Sequence, residues 1–280
     1  MSTATLKKLA LALTLWLALH MAPLRAQLVG PYGTSPITFE VDANGLLSAT
    51  GTFGTGSLSL SGAGTRMFWY PGKAAFRAGG ISSTYYPYAT DYWNDANMGY
   101  YSAAFGLNAK ASGNYSMASG LNTTASGNYS IAFGVYSTAA GWASMAAGVG
   151  TTTSGNAAVA LGEYASASGS NAVALGLNAS ASGDCSTASG YYTTAPAYCS
   201  FAIGVANTGL NASGGASSAS TWVPTDPLFE IGNGITSWSN GNPTASGPSD
   251  AFVVYKNGNV TASGVITAQP GGDIPMFTGY

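Results

Sequence analysis

Between residues 99 and 205, small and large apolar side chains alternate in a pattern that returns at every fourteenth position. Each repeat carries an alanine, and the residues immediately before and after that alanine are mostly large and apolar. Neighbouring side chains of a β-strand point to opposite faces, so each repeat is predicted to contain a strand with one small face and one apolar face. The alanines are Ala104, Ala118, Ala132, Ala146, Ala160, Ala174, Ala188 and Ala202.

Glycines recur with the same period, in two files that lie half a repeat apart. A strict short period is typical of architectures in which each unit stacks on the next. A unit of this length suits one coil of two short strands, joined by two tight turns at the glycines. The sequence therefore predicts an all-β protein built around a parallel β-roll, or β-solenoid, with irregular β segments on both sides. The two files are Gly106, Gly120, Gly134, Gly148, Gly162, Gly176, Gly190 and Gly204, and Gly99, Gly113, Gly127, Gly141, Gly155, Gly169 and Gly183.

A second run of small residues marks the other strand of the coil, and a hydroxyl residue precedes most of its members. Because so short a coil encloses almost no volume, we expect the small faces of both strands to point inward and the hydroxyl residues to face water. The small residues are Ala111, Ala125, Ala139, Ala167, Ala181 and Ala195, with Thr153 as the departure, and the hydroxyl residues are Thr124, Thr138, Thr152, Ser166, Ser180 and Thr194.

The large apolar side chains of the first strand are thereby left without a core of their own. A long apolar patch on a protein surface marks an interaction site, and closed oligomeric symmetry would cover it. We therefore predict that the chain assembles through this stripe. The predicted interface residues are Met117, Ile131, Phe133, Met145, Val159, Leu161, Val173, Leu175, Phe201 and Ile203.

Four segments are predicted along the chain. The first has the basic start, short apolar core and small-residue end of a secretory signal peptide, and its apolar run Leu9–Leu19 is too short to span a bilayer. In the last segment, Asn257 and Gly258 lie between two apolar runs, which is a hairpin signal. The segments are the signal peptide, 1–26; an irregular β-rich lead-in, 27–98; the repeat array, 99–205; and a linker with a C-terminal β-hairpin tail, 206–280.

Charge changes the range of partners that we expect. Charged residues make up 6% of the chain. Without the signal segment, the chain has ten acidic and five basic side chains, which gives a net charge of about −5. Such a surface cannot neutralise phosphates, so nucleic acid is not an expected partner. We also expect no membrane span after signal removal, and an extracellular or cell-surface location.

The unit GNYSIAFGVYSTAAG, at residues 127–141, and its siblings resemble the head repeats of trimeric autotransporter adhesins. The resemblance extends over residues 99–205. It implies a left-handed parallel β-roll in which three chains pack with their apolar strand faces turned to a threefold axis. It therefore implies a homotrimer with an adhesive, noncatalytic role. The heptads of that family's stalk and its C-terminal membrane anchor are not recognisable before Tyr280, so the resemblance concerns the head alone.

The residues give little support to catalysis or metal binding. The sole histidine, His20, lies in the signal segment, so the mature chain has no Ser-His or Cys-His pair. Asp91 and Asp95 lie close in sequence, but solvated aspartates in a polar loop are the favoured interpretation. Two cysteines without a histidine do not make a zinc site, and the array lacks the GGxGxD pattern of calcium-binding rolls. We predict no enzymatic activity, no cofactor and no metal site.

Cys185 and Cys199 are one repeat apart and therefore occupy the same position in consecutive coils. Equivalent residues on neighbouring strands lie near disulfide distance, and a secreted protein meets an oxidising environment. A disulfide across the last two coils is the favoured hypothesis, and two free thiols are the alternative.

Two binding functions from different classes remain open. The first is an adhesive head whose repetitive uncharged surface contacts extracellular matrix, carbohydrate or a cell-surface ligand. Tyr136, Tyr164 and Tyr192 lie at predicted turns and would stack on sugars in that role. The second is ice binding, or another single-chain β-solenoid binding function, through the hydroxyl column that begins at Thr124. That column changes from threonine to serine along the array, which disfavours the second function.

Overall fold

The computed structural model of the protein describes residues 38–41, 47–55, 58, 62–84, 91–239 and 242–264. The predicted signal peptide lies outside these residues. Their regular structure consists of β-strands and two short 3-10 turns, Pro71–Lys73 and Asp95–Asn97. The described part of the chain contains no helix with the length and apolar character needed to cross a membrane. The predicted class, an all-β protein with a parallel β-roll whose period is that of the sequence repeat, is confirmed.

The lead-in supplies two strand pairs. β1 (Thr38–Val41) pairs antiparallel with β2 (Leu47–Thr50), and β3 (Gly64–Tyr70) pairs antiparallel with β4 (Ala75–Ile81). β4 then runs parallel to the first strand of the array, so that Arg77 lies beside Ala104. The sheet of the array therefore begins before residue 99.

The array itself forms two parallel sheets. Each coil contributes a five-residue strand to a large sheet and, up to residue 195, a two-residue strand to a small sheet. Successive strands pair in register, so that Ala146 lies between Ala132 and Ala160. The large-sheet strands are β5 (Ala103–Leu107), β7 (Met117–Leu121), β9 (Ile131–Val135), β11 (Met145–Val149), β13 (Val159–Glu163), β15 (Val173–Leu177), β17 (Thr187–Tyr191) and β19 (Phe201–Val205), and the small-sheet strands are β6 (Lys110–Ala111), β8 (Thr124–Ala125), β10 (Thr138–Ala139), β12 (Thr152–Thr153), β14 (Ser166–Ala167), β16 (Ser180–Ala181) and β18 (Thr194–Ala195).

Small side chains fill the interior of the coils, as the alternation along each strand predicts. Ala160 in the large sheet and Ala167 in the small sheet are both completely buried, and their equivalents in the other coils are buried in the same way. Thr153, the departure in the second file, is also buried, and its Oγ1 donates a hydrogen bond to Ser144 Oγ at 2.9 Å. Threonine is accommodated at this inward position because its hydroxyl group finds a partner there.

The glycines are required where the backbones of successive coils approach each other most closely. A Cβ added at Gly148, where φ is +136°, would lie 1.8 Å from the carbonyl oxygen of Gly162. A Cβ at Gly155 would lie 1.9 Å from the carbonyl oxygen of Gly169. The Gly148 file lies within the large-sheet strands, so its predicted placement at turns is wrong, while the Gly155 file does lie at turns.

The tail extends the large sheet at its other end. β20 (Pro227–Asn233) runs parallel to β19, and β23 (Asp250–Tyr255) runs antiparallel to β20. β23 and β24 (Val260–Ala262) form the predicted hairpin around Asn257 and Gly258, with Tyr255 N–H donating to the Asn259 carbonyl oxygen at 2.8 Å. A separate antiparallel pair is formed by β21 (Ile235–Ser239) and β22 (Asn242–Gly247).

Two buried charged residues close the interior of the array at its ends. Arg77 lies beside Ala104, and its guanidinium donates to the Ser102 and Ala111 carbonyl oxygens at 3.0 and 2.9 Å. Glu230 lies beside Ala202, and its carboxyl group accepts from Gly209 N–H at 3.1 Å and from Asn207 Nδ2 at 3.0 Å. Burial lowers the pKa of Arg77 to about 10. Burial, with Asp250 nearby, raises the pKa of Glu230 to about 8.

Candidate functional site

The outer face of the large sheet carries the predicted apolar stripe. In each coil the side chains before and after the buried alanine point away from the coil interior and remain half-buried or exposed. Met117 is 38% exposed and Phe201 41%, although both are large apolar side chains. The residues predicted for the interface all lie on this face: Met117, Ile131, Phe133, Met145, Val159, Leu161, Val173, Leu175, Phe201 and Ile203.

The stripe has a third column, which the sequence reasoning missed. Each large-sheet strand continues past its glycine by one residue, and that residue points to the same outer face as the first two columns. The signal was present in the sequence as a further apolar position two residues after the second column. The third column consists of Leu107, Leu121, Val135, Val149, Glu163, Leu177, Tyr191 and Val205.

The stripe also continues beyond the array at both ends. Phe76 of β4 lies against Phe105, with ring centroids 5.6 Å apart. At the other end, Phe201 stacks on Phe229 of β20, with centroids 5.9 Å apart and ring planes 16° from parallel. From β4 to β20 this outer apolar stripe is roughly 45 Å long and about 13 Å wide, from the usual strand spacing and rise. Its area, roughly 600 Å², is at the upper limit of the largest apolar patches on monomeric proteins.

Charge is confined to the edge of the stripe. Glu163 is exposed and lies in the third column, between Val149 and Leu177. The first two columns contain no charged residue. Where a position in them lacks a large side chain, as at Thr187 and Ser189, the residue is small and neutral. A partner surface that covers the first two columns therefore needs to bury no charge.

A second surface feature lies at one turn of the coil. Tyr101, Tyr115 and Tyr129 adopt left-handed backbone conformations, with φ of +56°, +58° and +61°. Their rings stack face to face with centroids 4.9 Å apart at each step, Phe53 stacks on Tyr101 at 5.1 Å, and Trp142 contacts Tyr129 edge-on at 5.7 Å. We call these five residues the aromatic ladder. Its ring faces are covered by neighbouring rings, so mainly ring edges and hydroxyl groups face solvent.

The tyrosines predicted to stack on sugars lie at the opposite turn. Tyr136, Tyr164 and Tyr192 have φ values of +57°, +54° and +57°, which confirms their turn positions. Tyr136 and Tyr164 are exposed, and the Tyr164 ring lies over Gly150, where an added Cβ would meet its Cδ1 at 2.6 Å. Tyr192 packs edge-on against Tyr191 at 5.1 Å. Sugar stacking by these residues stays a prediction.

The hydroxyl column lies on the outer face of the small sheet, as predicted. Its strands are two residues long, so each coil from Thr124 onward presents one outward hydroxyl there, and the first coil presents Lys110 instead. Thr152 Oγ1 donates to Ser166 Oγ at 3.3 Å, so some hydroxyl groups of the column bond to each other. The neighbouring column alternates between Ser126, Ala140 and Ser154, all exposed. The surface is therefore narrow and chemically mixed.

Cys185 and Cys199 occupy equivalent left-handed positions in consecutive coils, with φ of +57° and +54°. Both are free thiols in the structure. The predicted disulfide between them stays a prediction. The two aspartates considered for acid–base chemistry lie in the loop before the array, where Asp95 forms an ion pair with Lys73 at 3.6 Å.

Comparison with known proteins supports the resemblance noted from the sequence. The family model of the YadA head domain repeat matches residues 99–123, 111–137, 118–144 and 167–193. A search of curated proteins gave no match. The repeat array is therefore similar to YadA head repeats, and its architecture is that of an adhesin-like β-roll.

Proposed function

We propose that the protein is a secreted or cell-surface, noncatalytic head protein that assembles as a homotrimer and presents its remaining surface for attachment. The observation that carries the proposal is the continuous outer apolar stripe, which is uncharged in its first two columns and extends from Phe76 to Ile231. The proposed ligands are extracellular matrix, carbohydrate or another cell-surface molecule.

The stripe favours assembly over burial within the chain. The coil interior is already filled by alanines such as Ala160, so the side chains of Val159 and Leu161 cannot turn inward. A patch of roughly 600 Å² per chain is somewhat below the ~800 Å² that each partner buries in a standard interface, and contacts around its rim would supply the rest. The number three comes from the similarity to YadA heads.

The position of Glu163 indicates how the stripes would meet. Three copies of an exposed carboxylate cannot be brought together on an axis without strong like-charge repulsion. We therefore place the first two columns nearest the threefold axis and the third column, with Glu163, at the rim. Secretion rests on the signal-like segment 1–26 and on the low charge of the rest of the chain.

Light scattering on a sizing column tests the assembly. The purified chain should have the molar mass of a trimer that resists dilution. Replacing Leu161 with lysine puts three charges into the stripe, so the L161K variant should dissociate to monomers. Ser166 points outward from the small sheet in the same coil, so the matched control S166K should remain a trimer. A monomeric parent chain, or a trimeric L161K variant, would contradict the proposal.

Adhesion is then measured with the same pair of variants. Surfaces coated with matrix proteins or glycans should retain the parent chain and S166K, and retain the monomeric L161K less well because avidity is lost. If the parent chain is monomeric and shows thermal hysteresis instead, the hydroxyl column of the small sheet becomes the functional surface.

A further inference from the structure

The tail contains a buried lysine and aspartate that the proposed function does not use. Lys256 follows β23, and Asp226 precedes β20. Their side chains are 0% and 1% exposed, and Lys256 Nζ lies 3.9 Å from Asp226 Oδ2. Removing two charges from water is expensive, and an ion pair offsets that expense only when further hydrogen bonds satisfy both groups.

The backbone holds the two residues side by side. Lys256 N–H donates to the Asp226 carbonyl oxygen at 3.0 Å, and Asn257 N–H donates to the Pro224 carbonyl oxygen at 2.9 Å. The Asp226 carboxylate is fixed in turn, because its Oδ2 accepts from Ser218 N–H at 2.8 Å. The paired backbone and the fixed carboxylate therefore keep Asp226 within reach of the Lys256 side chain.

The Lys256 ammonium group is poorly satisfied in this position. Nζ lies 5.1 Å from the centre of the Trp222 ring and 5.9 Å from that of Tyr198. Within the described residues it has no hydrogen-bond partner. Burial lowers the pKa of Lys256, against the opposing effects of Asp226 and Cys199. A buried lysine of this kind is a potential nucleophile, since the neutral amine is the reactive form.

We propose that Lys256 and Asp226 condense into an intramolecular amide, an isopeptide bond between Lys256 Nζ and Asp226 Cγ. A proton first passes from the ammonium to the carboxylate, which gives a neutral amine and a neutral acid. The amine lone pair then attacks Cγ, the bond from Cγ to one oxygen breaks, and that oxygen leaves as water with the proton of the acid and one from the amine. One ammonium and one carboxylate thus become one amide and one water, without an oxidant or a cofactor.

The surroundings favour this product over the ion pair. Burial disfavours the charged form of Lys256, so the neutral amine is more accessible here than in water. The amide removes two buried charges and keeps a carbonyl oxygen that can accept from Ser218 N–H. The product would fasten the start of β20 to the end of β23, where Pro227 already lies opposite Tyr255. The strand pair that closes the large sheet could then not be pulled apart at this point.

The placement of basic residues makes a direct test possible. After Lys110, Lys256 is the next and last basic residue in the sequence. Trypsin should therefore release peptide 257–280 from the denatured, reduced chain if Lys256 carries a free amine. If Lys256 is acylated, trypsin cannot cut there, and we expect a single peptide 111–280 that is lighter than its sequence mass by one water molecule. Fragmentation should locate the link between Asp226 and Lys256.

The variant K256R is the matched control. It keeps the positive charge and the trypsin site but not the lysine amine, so it should release 257–280 completely and show no loss of water. Complete release of 257–280 from the parent chain, purified in its folded form and then denatured and reduced, would overturn the proposal. This outcome is independent of the oligomeric state, so the failure of one proposal does not imply the failure of the other.

Discussion

The innermost column of the large sheet is filled by alanine in the middle of the array and by charged residues at its two ends. Between Ala104 and Ala202 the innermost column of the large sheet is alanine in every coil. One step beyond each end, the same column holds Arg77 and Glu230, which are completely buried. In the small sheet a middle coil has a neighbouring strand on both sides, whereas an end coil has one on one side only.

The side chains at each end of the array pair with small-sheet backbone groups that have no further coil to bond to. In that sheet each coil donates to the next, as when Thr124 N–H donates to the Ser137 carbonyl oxygen. The first coil is left with free carbonyl oxygens, and these accept from the Arg77 guanidinium and from Trp93 Nε1. At the last coil Asn207 makes both kinds of hydrogen bond, because its Oδ1 accepts from Thr194 N–H and its Nδ2 donates to the Thr194 carbonyl oxygen, each at 2.7 Å. Glu230 in turn accepts from Asn207 Nδ2 and from Gly209 N–H. Solenoid ends require such capping, and here side-chain donors cap the first coil, whereas an asparagine amide held by a buried glutamate caps the last.

The largest effect on stability is expected from replacing a glycine in the middle of the array. In the variant G148A the new Cβ would lie 1.8 Å from the Gly162 carbonyl oxygen, so the coils must separate locally. We expect a loss of more than about 4 kcal/mol in the free energy of unfolding, which is the range of the most damaging point mutations. Chemical denaturation of the whole chain measures this loss.

The matched control lies in the linker, where no coil is stacked on the backbone. Gly214 also has a positive φ, +74°, but an added Cβ there would meet nothing within 4 Å. The variant G214A should therefore lose only about 1 to 2 kcal/mol, from the left-handed conformation itself. Equal losses at the two sites would show that φ, and not the close stacking of coils, makes glycine necessary in the array.

The same contrast explains what the sequence could and could not predict. Period and alternation were enough to place Ala160 inside and Leu161 outside, because both follow from the geometry of one strand. The third column was missed because the glycine before Val149 was taken for a turn, whereas the strand continues through it. The roles of Arg77 and Glu230 could not be predicted, because they depend on which backbone groups of the end coils lack a hydrogen-bond partner. The sequence pattern of a single coil does not reveal those groups. The sequence did contain one indication of the buried glutamate, because FEIG at residues 229–232 repeats FAIG at residues 201–204 with glutamate in place of the inward alanine.

The acidic cap makes a prediction about pH. The pKa of Glu230 is raised from about 4.5 to about 8, by burial first and by Asp250 second. A folded state that binds the proton more tightly than the unfolded state is most stable below the unfolded pKa. This contribution should be complete below about pH 4.5 and should be lost as the pH rises through about 8. Between pH 5 and pH 9 we expect a loss on the order of 4 kcal/mol from this group, measured by denaturation at each pH.

The variant E230Q isolates that group. Glutamine has the shape and neutrality of the protonated acid, and its carbonyl oxygen can still accept from Gly209 N–H. The stability of E230Q should therefore be nearly independent of pH over the range in which the parent chain weakens. If both proteins lose stability in parallel, Asp250 or another group carries the pH dependence, and the acidic cap is ionised throughout.

The smallest effect is expected from the cysteine pair near the acidic end. We expect Cys185 and Cys199 to join when the protein is exported, so that thiol titration of the unreduced, denatured protein finds no free thiol. The two residues enclose a loop one repeat long, and for a loop of that size a disulfide contributes at most about 3 kcal/mol. Reduction should lower the free energy of unfolding by that amount or less, because hydrogen bonds already hold consecutive coils in register.

The location of that loss distinguishes a local effect from a global one. Both cysteines lie in the last coils of the array, so reduction should speed hydrogen exchange there and leave the coils around Ala132 unchanged. Asn171 has the same left-handed conformation one coil earlier, with φ of +56°, so N171A serves as the control for a change of side chain in this column without loss of a crosslink. Two free thiols in the exported protein would contradict the disulfide. The last coils of the array would then be held in place by the hydrogen bonds of Glu230 and Asn207 and by the strands of the tail.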